Sequence, residues 1–305
     1  MSGTPALLPL DAAQPEGALA EPARLAAFIR AHPRLFVLTG AGCSTASGIP
    51  DYRDAEGQWK RPQPVTFQAF MGEEATRQRY WARSLIGWRV MGHAQPGAAH
   101  RALAQLEALG HVEMLLTQNV DGLHDAAGSR STVDLHGRID TVRCMHCEAR
   151  MPRAALQQRL LEANPAWAHL QAETAPDGDA YLDGLDFSSF AVPACPACGQ
   201  GPLKPDVVFF GENVPRERVL VAREALQRSD AALVVGSSLM VYSGFRFVQA
   251  ASEAGKPLVS RRRNAARMSG PRSEPRQLSV SPARSAAGPA LQWLPIPRRH
   301  RAASV

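Results

Sequence analysis

Apolar residues along this 305-residue chain gather into short runs that close on glycine or small polar residues. The run from Arg34 to Leu38 leads through Thr39 into Gly40, Val112 to Thr117 ends in Gln118-Asn119, and Ala231 to Val235 ends in Gly236-Ser237-Ser238. Runs of this length with little alternation predict strands buried on both faces, as a parallel sheet requires. Thr132 to Leu135 predicts a further short strand that delivers His136, and Lys204 to Phe210 opens another. Between them, helical periodicity predicts helices over 21–31, 73–91, 97–109, 153–163 and 216–228. Strands alternating with helices place the chain in the α/β class, with an open parallel sheet and ligands at the strands' carboxyl ends.

Outside this pattern lie two segments of different composition. Residues 1–20 form a Pro/Ala-rich leader, expected to be flexible. Beyond Val259 the periodicity stops, and Arg, Pro, Ser and Ala predict a disordered tail over 261–305. That tail holds ten arginines, no lysine and one acid, Glu274, for a net +9. The whole chain carries +6, so the first 260 residues carry −3. Basicity therefore belongs to the tail, and the acidic body argues against a nucleic-acid partner. No apolar run approaches the length of a membrane span, and no signal-peptide pattern opens the chain, so no membrane partner and a cytoplasmic location are expected.

Candidate chemistry sharpens the picture at two places. Cys144-x-x-Cys147 and Cys195-x-x-Cys198 present four thiols in two knuckles, the ligand set of a closed structural zinc site. The fifth cysteine, Cys43, reads as a small buried filler. Gly40-Ala41-Gly42 follows the first strand, but the next glycine is Gly48, so the full G-x-G-x-x-G spacing fails. The continuation Ser47-Gly48-Ile49-Pro50-Asp51-Tyr52-Arg53-Asp54 adds an arginine suited to phosphate.

The segments GAGCSTASGIPDYRD (40–54), TQNVDGLH (117–124), LHGRID (135–140), the two C-x-x-C pairs, KPDVVFFGE (204–212) and VVGSSLMVYSG (234–244) resemble, in order, the motifs of the sirtuins, NAD-dependent protein lysine deacylases. The PDYRD and VVFFGE wording and the long insert between the knuckles are most similar to class II sirtuins. The resemblance implies a Rossmann-like parallel sheet with helices on both faces over 21–142 and 203–260, with a helical module near 54–95. It implies an inserted zinc-binding module over 143–202. It implies NAD as co-substrate, one structural zinc ion held by the four cysteines, and acylated lysines of proteins or peptides as partners.

By resemblance, Gly40, Ala41, Gly42, Ser44, Asp51, Tyr52 and Arg53 hold the NAD pyrophosphate and its neighbourhood, with Gly236, Ser237 and Ser238. Gln118 and Asn119 meet the ribose, and Val120 and Asp121 meet the nicotinamide. His136 is the general base, with Asn119 as its catalytic companion. Val208, Phe209, Phe210, Gly211 and Glu212 on one side, and Val241 and Tyr242 on the other, flank the substrate backbone. Tyr80 and Arg83, at i and i+3 of one helix, match the pair that reads acidic acyl groups, although such arginines are often solvated surface. After Gly255-Lys256-Pro257 the resemblance stops, and the last strand and helix are expected to be lost, as a shifted reading frame would produce. Mono-ADP-ribosyl transfer, and an impaired NAD- and zinc-binding module, remain alternatives.

Overall fold

The computed structural model describes residues 21–50, 65–170, 180, 182 and 184–261. The expected leader, Asp51, Tyr52 and Arg53, the middle of the insert, and the tail after Arg261 lie outside the described residues. In chain order the elements are α1 (Glu21–Ala31), β1 (Leu35–Thr39), α2 (Phe67–Gly72), α3 (Glu74–Met91), α4 (Ala98–Ala108), β2 (Val112–Thr117), α5 (Leu123–Ala126) and β3 (Thr132–Asp134). Then follow β4 (Gly137–Cys144), β5 (Arg150–Pro152), α6 (Arg153–Ala163), β6 (Leu203–Val207), α7 (Arg216–Arg228), β7 (Ala231–Val235), α8 (Tyr242–Glu253) and β8 (Leu258–Arg261).

The main sheet has the order β3-β2-β1-β7-β8, with every pairing parallel. Successive residues of a strand point to opposite faces, and β1 feeds both cores. Leu35 and Val37 join α1 and α4 through Leu25, Phe28, Ile29, Leu103 and Leu106. Phe36 and Leu38 join α7 and α8 through Ala225, Leu226, Phe247 and Val248. Helices thus cover both faces, as the unbroken apolar runs require. The chain leaves β1 towards β2 and β3, then returns to β1's other side with β7 and β8. This reversal opens a crevice at the carboxyl end of β1.

A smaller antiparallel sheet, β5-β4-β6, carries the knuckles. It shares one core with α2, α3 and α6, in which Phe70, Trp81, Leu85, Leu156, Val142 and Leu203 are buried. Trp81 Nε1 donates to Leu203 O at 3.0 Å. Arg153 is fully buried between Trp81 and Trp88, 5.3 and 4.9 Å from the ring centres, and its Nη2 donates to Ser84 O at 3.1 Å. Stacking on two aromatic faces offsets part of the cost of taking that cation out of water.

Two expectations need correction. The strand expected to be lost after Val259 is present: Leu258–Arg261 pairs with β7 along its length, because Val259 and Ser260 are buried beside it. Tyr242, expected beside Val241 on a substrate edge, opens α8, with Val241 as its extended cap and Ser243 in its first turn.

Candidate active site

The crevice is built by two glycine turns pressed together. Gly42 N donates to Gly236 O at 2.8 Å, and Gly40 N donates to Val235 O at 3.2 Å. A Cβ on Gly42 would stand 2.8 Å from Gly236 O, and Gly236 itself adopts φ 64° with its Cβ direction 2.5 Å from Cys43 N. Only residues without side chains allow this approach. Gly40 and Gly42 therefore face Gly236 and Ser237 across the β1/β7 seam, with Ala41 between them in the first turn and Ser238 continuing the second. Leu239 follows with φ 58°, a left-handed conformation costly for a branched residue, held in part by a bond from its N–H to Ser237 Oγ at 3.2 Å. Cys43 is buried, its thiol pushed up to about 12 chiefly by burial, so it is an inert filler here.

The end of β2 supplies the crevice's other wall. Gln118 Nε2 donates to Ser237 Oγ at 2.8 Å. Asn119 Nδ2 donates to Gly40 O at 3.2 Å and to Ser44 Oγ at 3.0 Å. Ser44 Oγ donates to Asp121 Oδ2 at 2.6 Å, while Asp121 Oδ1 accepts from Leu123 N at 2.9 Å. Val120 O accepts from Ile139 N at 2.9 Å. Beneath them, sequence reading missed two fully buried imidazoles, His100 and His124, with ring centres 4.7 Å apart. His100 Nδ1 accepts from Gly97 N at 3.0 Å, His100 Nε2 lies 3.4 Å from Ser44 Oγ, and His124 Nε2 lies 2.9 Å from Thr39 Oγ1. His100 lies outside the motifs, and His124, although it closes TQNVDGLH, carries no local sign of its buried partner.

His136 follows β3 and faces three ways. Its Nδ1 donates to Gln118 O at 2.8 Å, its Nε2 lies 2.7 Å from Ser243 Oγ, and its carbonyl accepts from Val208 N at 2.8 Å. Burial, with lesser help from Arg218 and Arg246, holds its pKa below the usual imidazole range against the opposing pull of Gln118 O. The ring is neutral at working pH.

Val208 to Glu212 form the edge beyond β6. Phe209 is buried against Phe70 and Tyr80, while Phe210 is 40% exposed, so the two phenylalanines divide between core and cleft. Phe210 O accepts from Phe67 N at 2.8 Å, and Gly211 O accepts from Gln68 Nε2 at 3.1 Å. Lys204, 4% exposed at its side chain, pairs with Glu212 at 2.9 Å, and the same carboxylate accepts from Phe209 N at 2.9 Å. A pair with the lysine buried and the same Glu212 oxygen also taking the Phe209 N–H fixes the turn's geometry more than it adds stability. On the opposite side Met240, Val241 and Tyr242 are exposed.

Tyr80 lies in the aromatic cluster, 5.4 Å from Phe209 and next to the edge. Arg83 Nε donates to Ala180 O at 2.8 Å. Their neighbours Arg77 and Arg89 donate to the carbonyls of Phe70, Met71 and Leu170, at 2.9, 3.0 and 2.7 Å.

The four cysteines converge. Cys144 and Cys198 sulfurs stand 3.7 Å apart, Cys147 and Cys195 sulfurs 3.8 Å, and all four lie within 4.8 Å of one another. A tetrahedron with Zn–S of about 2.3 Å has edges of about 3.8 Å, so the geometry fits zinc. Each knuckle turns the same way: Glu148 N donates to Cys144 O and Gly199 N to Cys195 O, with φ 62° and 65° at those two residues.

Fold and site together define a doubly wound α/β protein with a nucleotide crevice and a four-cysteine metal module. Residues 40–243 match the Sir2 family, and the chain belongs to it. It is 70% identical over 233 residues to a NAD-dependent protein deacetylase of Xanthomonas campestris pv. campestris (strain 8004), covering 76% of this chain and 79% of that protein. It is 64% identical over 236 residues to a NAD-dependent protein deacetylase of Bordetella bronchiseptica, covering 77% and 86%. A solved complex described as Sir2-p53 peptide-NAD+ matches with a TM-score of 0.62 at 28% identity, over 78% of this chain and 84% of that one. The resemblance read from the motifs holds at the level of the family. Among the described residues, no helix is long and apolar enough to cross a membrane.

Proposed function

We propose that this chain is an NAD-dependent protein lysine deacylase of deacetylase type, converting acyl-lysine, NAD and one water to free lysine, nicotinamide and O-acyl-ADP-ribose. The placement of His136 carries the reading. Its ring is tied to Gln118 at the cofactor crevice and its backbone to Val208 at the peptide edge, so one residue joins the two halves of the reaction. The relatives' names and the peptide- and NAD-bound Sir2 complex support the same assignment.

NAD, when bound, offers a ribose whose C1′ accepts the acyl oxygen as nicotinamide departs. In our reading Gly40, Ala41, Gly42, Ser237, Ser238 and Arg53 take the pyrophosphate, since close backbone, hydroxyls and a cation answer its charge. Asp51 and Tyr52 flank it, Gly236 lets the two turns meet, and Ser44 braces Asn119 and Asp121. Gln118 and Asn119 orient the ribose, and Val120 and Asp121 receive the carboxamide. His136 removes the proton from a ribose hydroxyl through Nε2, which a buried neutral imidazole is suited to do.

The peptide adds as a strand between Val208–Glu212 and Val241–Tyr242, so recognition is largely main-chain and tolerant of sequence. Phe210, Val241 and Tyr242 supply the exposed apolar walls for the lysine stem. Tyr80 and Arg83 stand beside this edge as readers of an acyl carboxylate, a role that requires Arg83 to exchange Ala180 O for the ligand. Cys144, Cys147, Cys195 and Cys198 hold a structural zinc, and thiols used this way suit a cytoplasmic location.

The test is incubation of the purified protein with NAD and acetyl-, succinyl- and glutaryl-lysine peptides, with products weighed by mass spectrometry. Deacylated peptide with O-acyl-ADP-ribose is expected. ADP-ribosylated protein without deacylated peptide would replace this reading with mono-ADP-ribosyl transfer, and no NAD consumption would leave an impaired binding module.

A further inference from the structure

The contact between Ser243 and His136 has no place in the roles assigned above. Gln118 O is a carbonyl and can only accept, so the proton of the neutral imidazole sits on Nδ1. Nε2 therefore bears the lone pair. Ser243 Oγ, 2.7 Å away, must be the donor of that second bond. The ring is held at both nitrogens by groups 125 residues apart in sequence, Gln118 at the end of β2 and Ser243 in α8, a separation given by their numbers.

The surroundings show how α8 is brought to this position. Gly244 follows Ser243, and a Cβ there would stand 2.3 Å from Gln118 Oε1, so a larger residue would displace the Gln118 amide that the helix start packs against. Ser243 O accepts from Arg246 Nε at 3.1 Å, which fixes the first turn of the helix from within. Ser243 and Gly244 thus form a small-residue seat by which α8 docks on Gln118 and His136 together.

We propose that Ser243 is a positioning residue: with Gln118 O setting the tautomer, it fixes the plane of His136 in the cofactor-free enzyme and presents Nε2 to the site where the ribose hydroxyl takes the hydroxyl's place. The proposal rests on the reading of His136 as general base. A hydroxyl that rotates about one bond can hold a lone pair and release it without moving the backbone. A second consequence is that α8, which also carries Tyr242 at the peptide edge, is coupled to the orientation of the base.

The experiment uses the full chain with zinc bound, as Ser243→Ala, Ser243→Thr and His136→Gln. Nitrogen-15 spectra of labelled histidines, with His136 assigned by its loss in His136→Gln, report the tautomer directly. The wild type is expected as the Nδ1–H form with a hydrogen-bonded Nε2, Ser243→Ala as the same tautomer with its Nε2 signal moved towards that of a lone pair without a donor, and Ser243→Thr as wild type. In the same proteins kcat should fall about three- to tenfold in Ser243→Ala, the worth of one hydrogen bond, with KM for NAD within about twofold and Thr restoring most of the loss. A wild-type nitrogen spectrum or a wild-type kcat in Ser243→Ala overturns the proposal. So does a loss of kcat accompanied by lowered melting temperature that Thr does not rescue, which would make Ser243 only a packing residue. Turnover retained by His136→Gln would instead refute the base assignment, whatever the spectra show for Ser243→Ala.

Discussion

His124 offers a quantitative test of the site's foundations. Burial first, and the neighbouring His100 second, push its pKa from 6.5 down to about 3. The folded protein therefore keeps this ring neutral between about pH 6.5 and 3, while the unfolded chain takes up a proton there. More protons bound by the unfolded state means stability lost as pH falls. Integrating from pH 7.5 to 5.0 gives a loss of about 2 kcal/mol from His124 alone, rising towards roughly 5 kcal/mol near pH 3. His100, also shifted down by burial, acts in the same direction. Asp134 opposes them: burial raises its pKa to about 6, so the folded state binds a proton that the unfolded state lacks between about pH 6 and 3.8. That returns about 1.4 kcal/mol over the same interval. Urea unfolding at pH 7.5, 6.5, 5.5 and 5.0 should show His124→Gln losing about 2 kcal/mol less than wild type on acidification, and Asp134→Asn losing about 1.4 kcal/mol more. Zinc release at low pH is common to all three proteins and cancels in the differences. A His124→Gln profile parallel to wild type would mean that the folded protein already carries charge on His124, and the buried-neutral argument would fail.

Removal of zinc with a chelator should unfold the β5-β4-β6 module, because metal binding there is folding free energy; metal analysis finding no zinc in folded, active protein would contradict this. Phe210→Ala should raise KM for an acyl-peptide several-fold while leaving KM for NAD unchanged, in steady-state kinetics with each substrate varied. Arg83→Met should lower kcat/KM for succinyl- and glutaryl-lysine peptides by about tenfold or more relative to acetyl-lysine, since only the acidic acyl groups lose a charge partner; equal effects on all three would remove Arg83 from acyl selection.

Much of this architecture is legible along the chain because the core strands are buried on both faces. Leu35–Thr39 and Ala231–Val235 cannot be read as anything wet, and the glycine that ends each is demanded by the contact of the two turns. The small sheet is harder to read: Gly137–Cys144 alternates arginine and aspartate with apolar residues, and β5 is only three residues long. Helix α8 escapes notice because it begins inside the segment Val241-Tyr242-Ser243-Gly244, whose exposed residues suit an extended edge equally well. Site residues that sit within continuous motifs are found by their neighbours in sequence. Pairings across the fold are another matter: Ser243 and Lys204 lie within the motif segments and His100 outside them, yet one sequence carries no local signal that they meet His136, Glu212 and Ser44.

The Lys204–Glu212 pair ties two parts of the molecule that are usually considered separately. β6 pairs with β4, whose last residue is Cys144, and four residues beyond Lys204, at Val208, the chain enters the edge proposed as a wall of the peptide groove. On the proposed function, whatever holds the cysteine sheet therefore also sets the spacing of that groove, through a strand and one ion pair with a buried lysine. The supply of metal in the cell then becomes a term in the affinity for protein substrates: by mass action, free zinc above its dissociation constant keeps the groove assembled. Scarcity would release peptide before it disturbed the glycine turns, which rest on the other sheet, so a starved population would still bind NAD while losing its hold on acylated proteins.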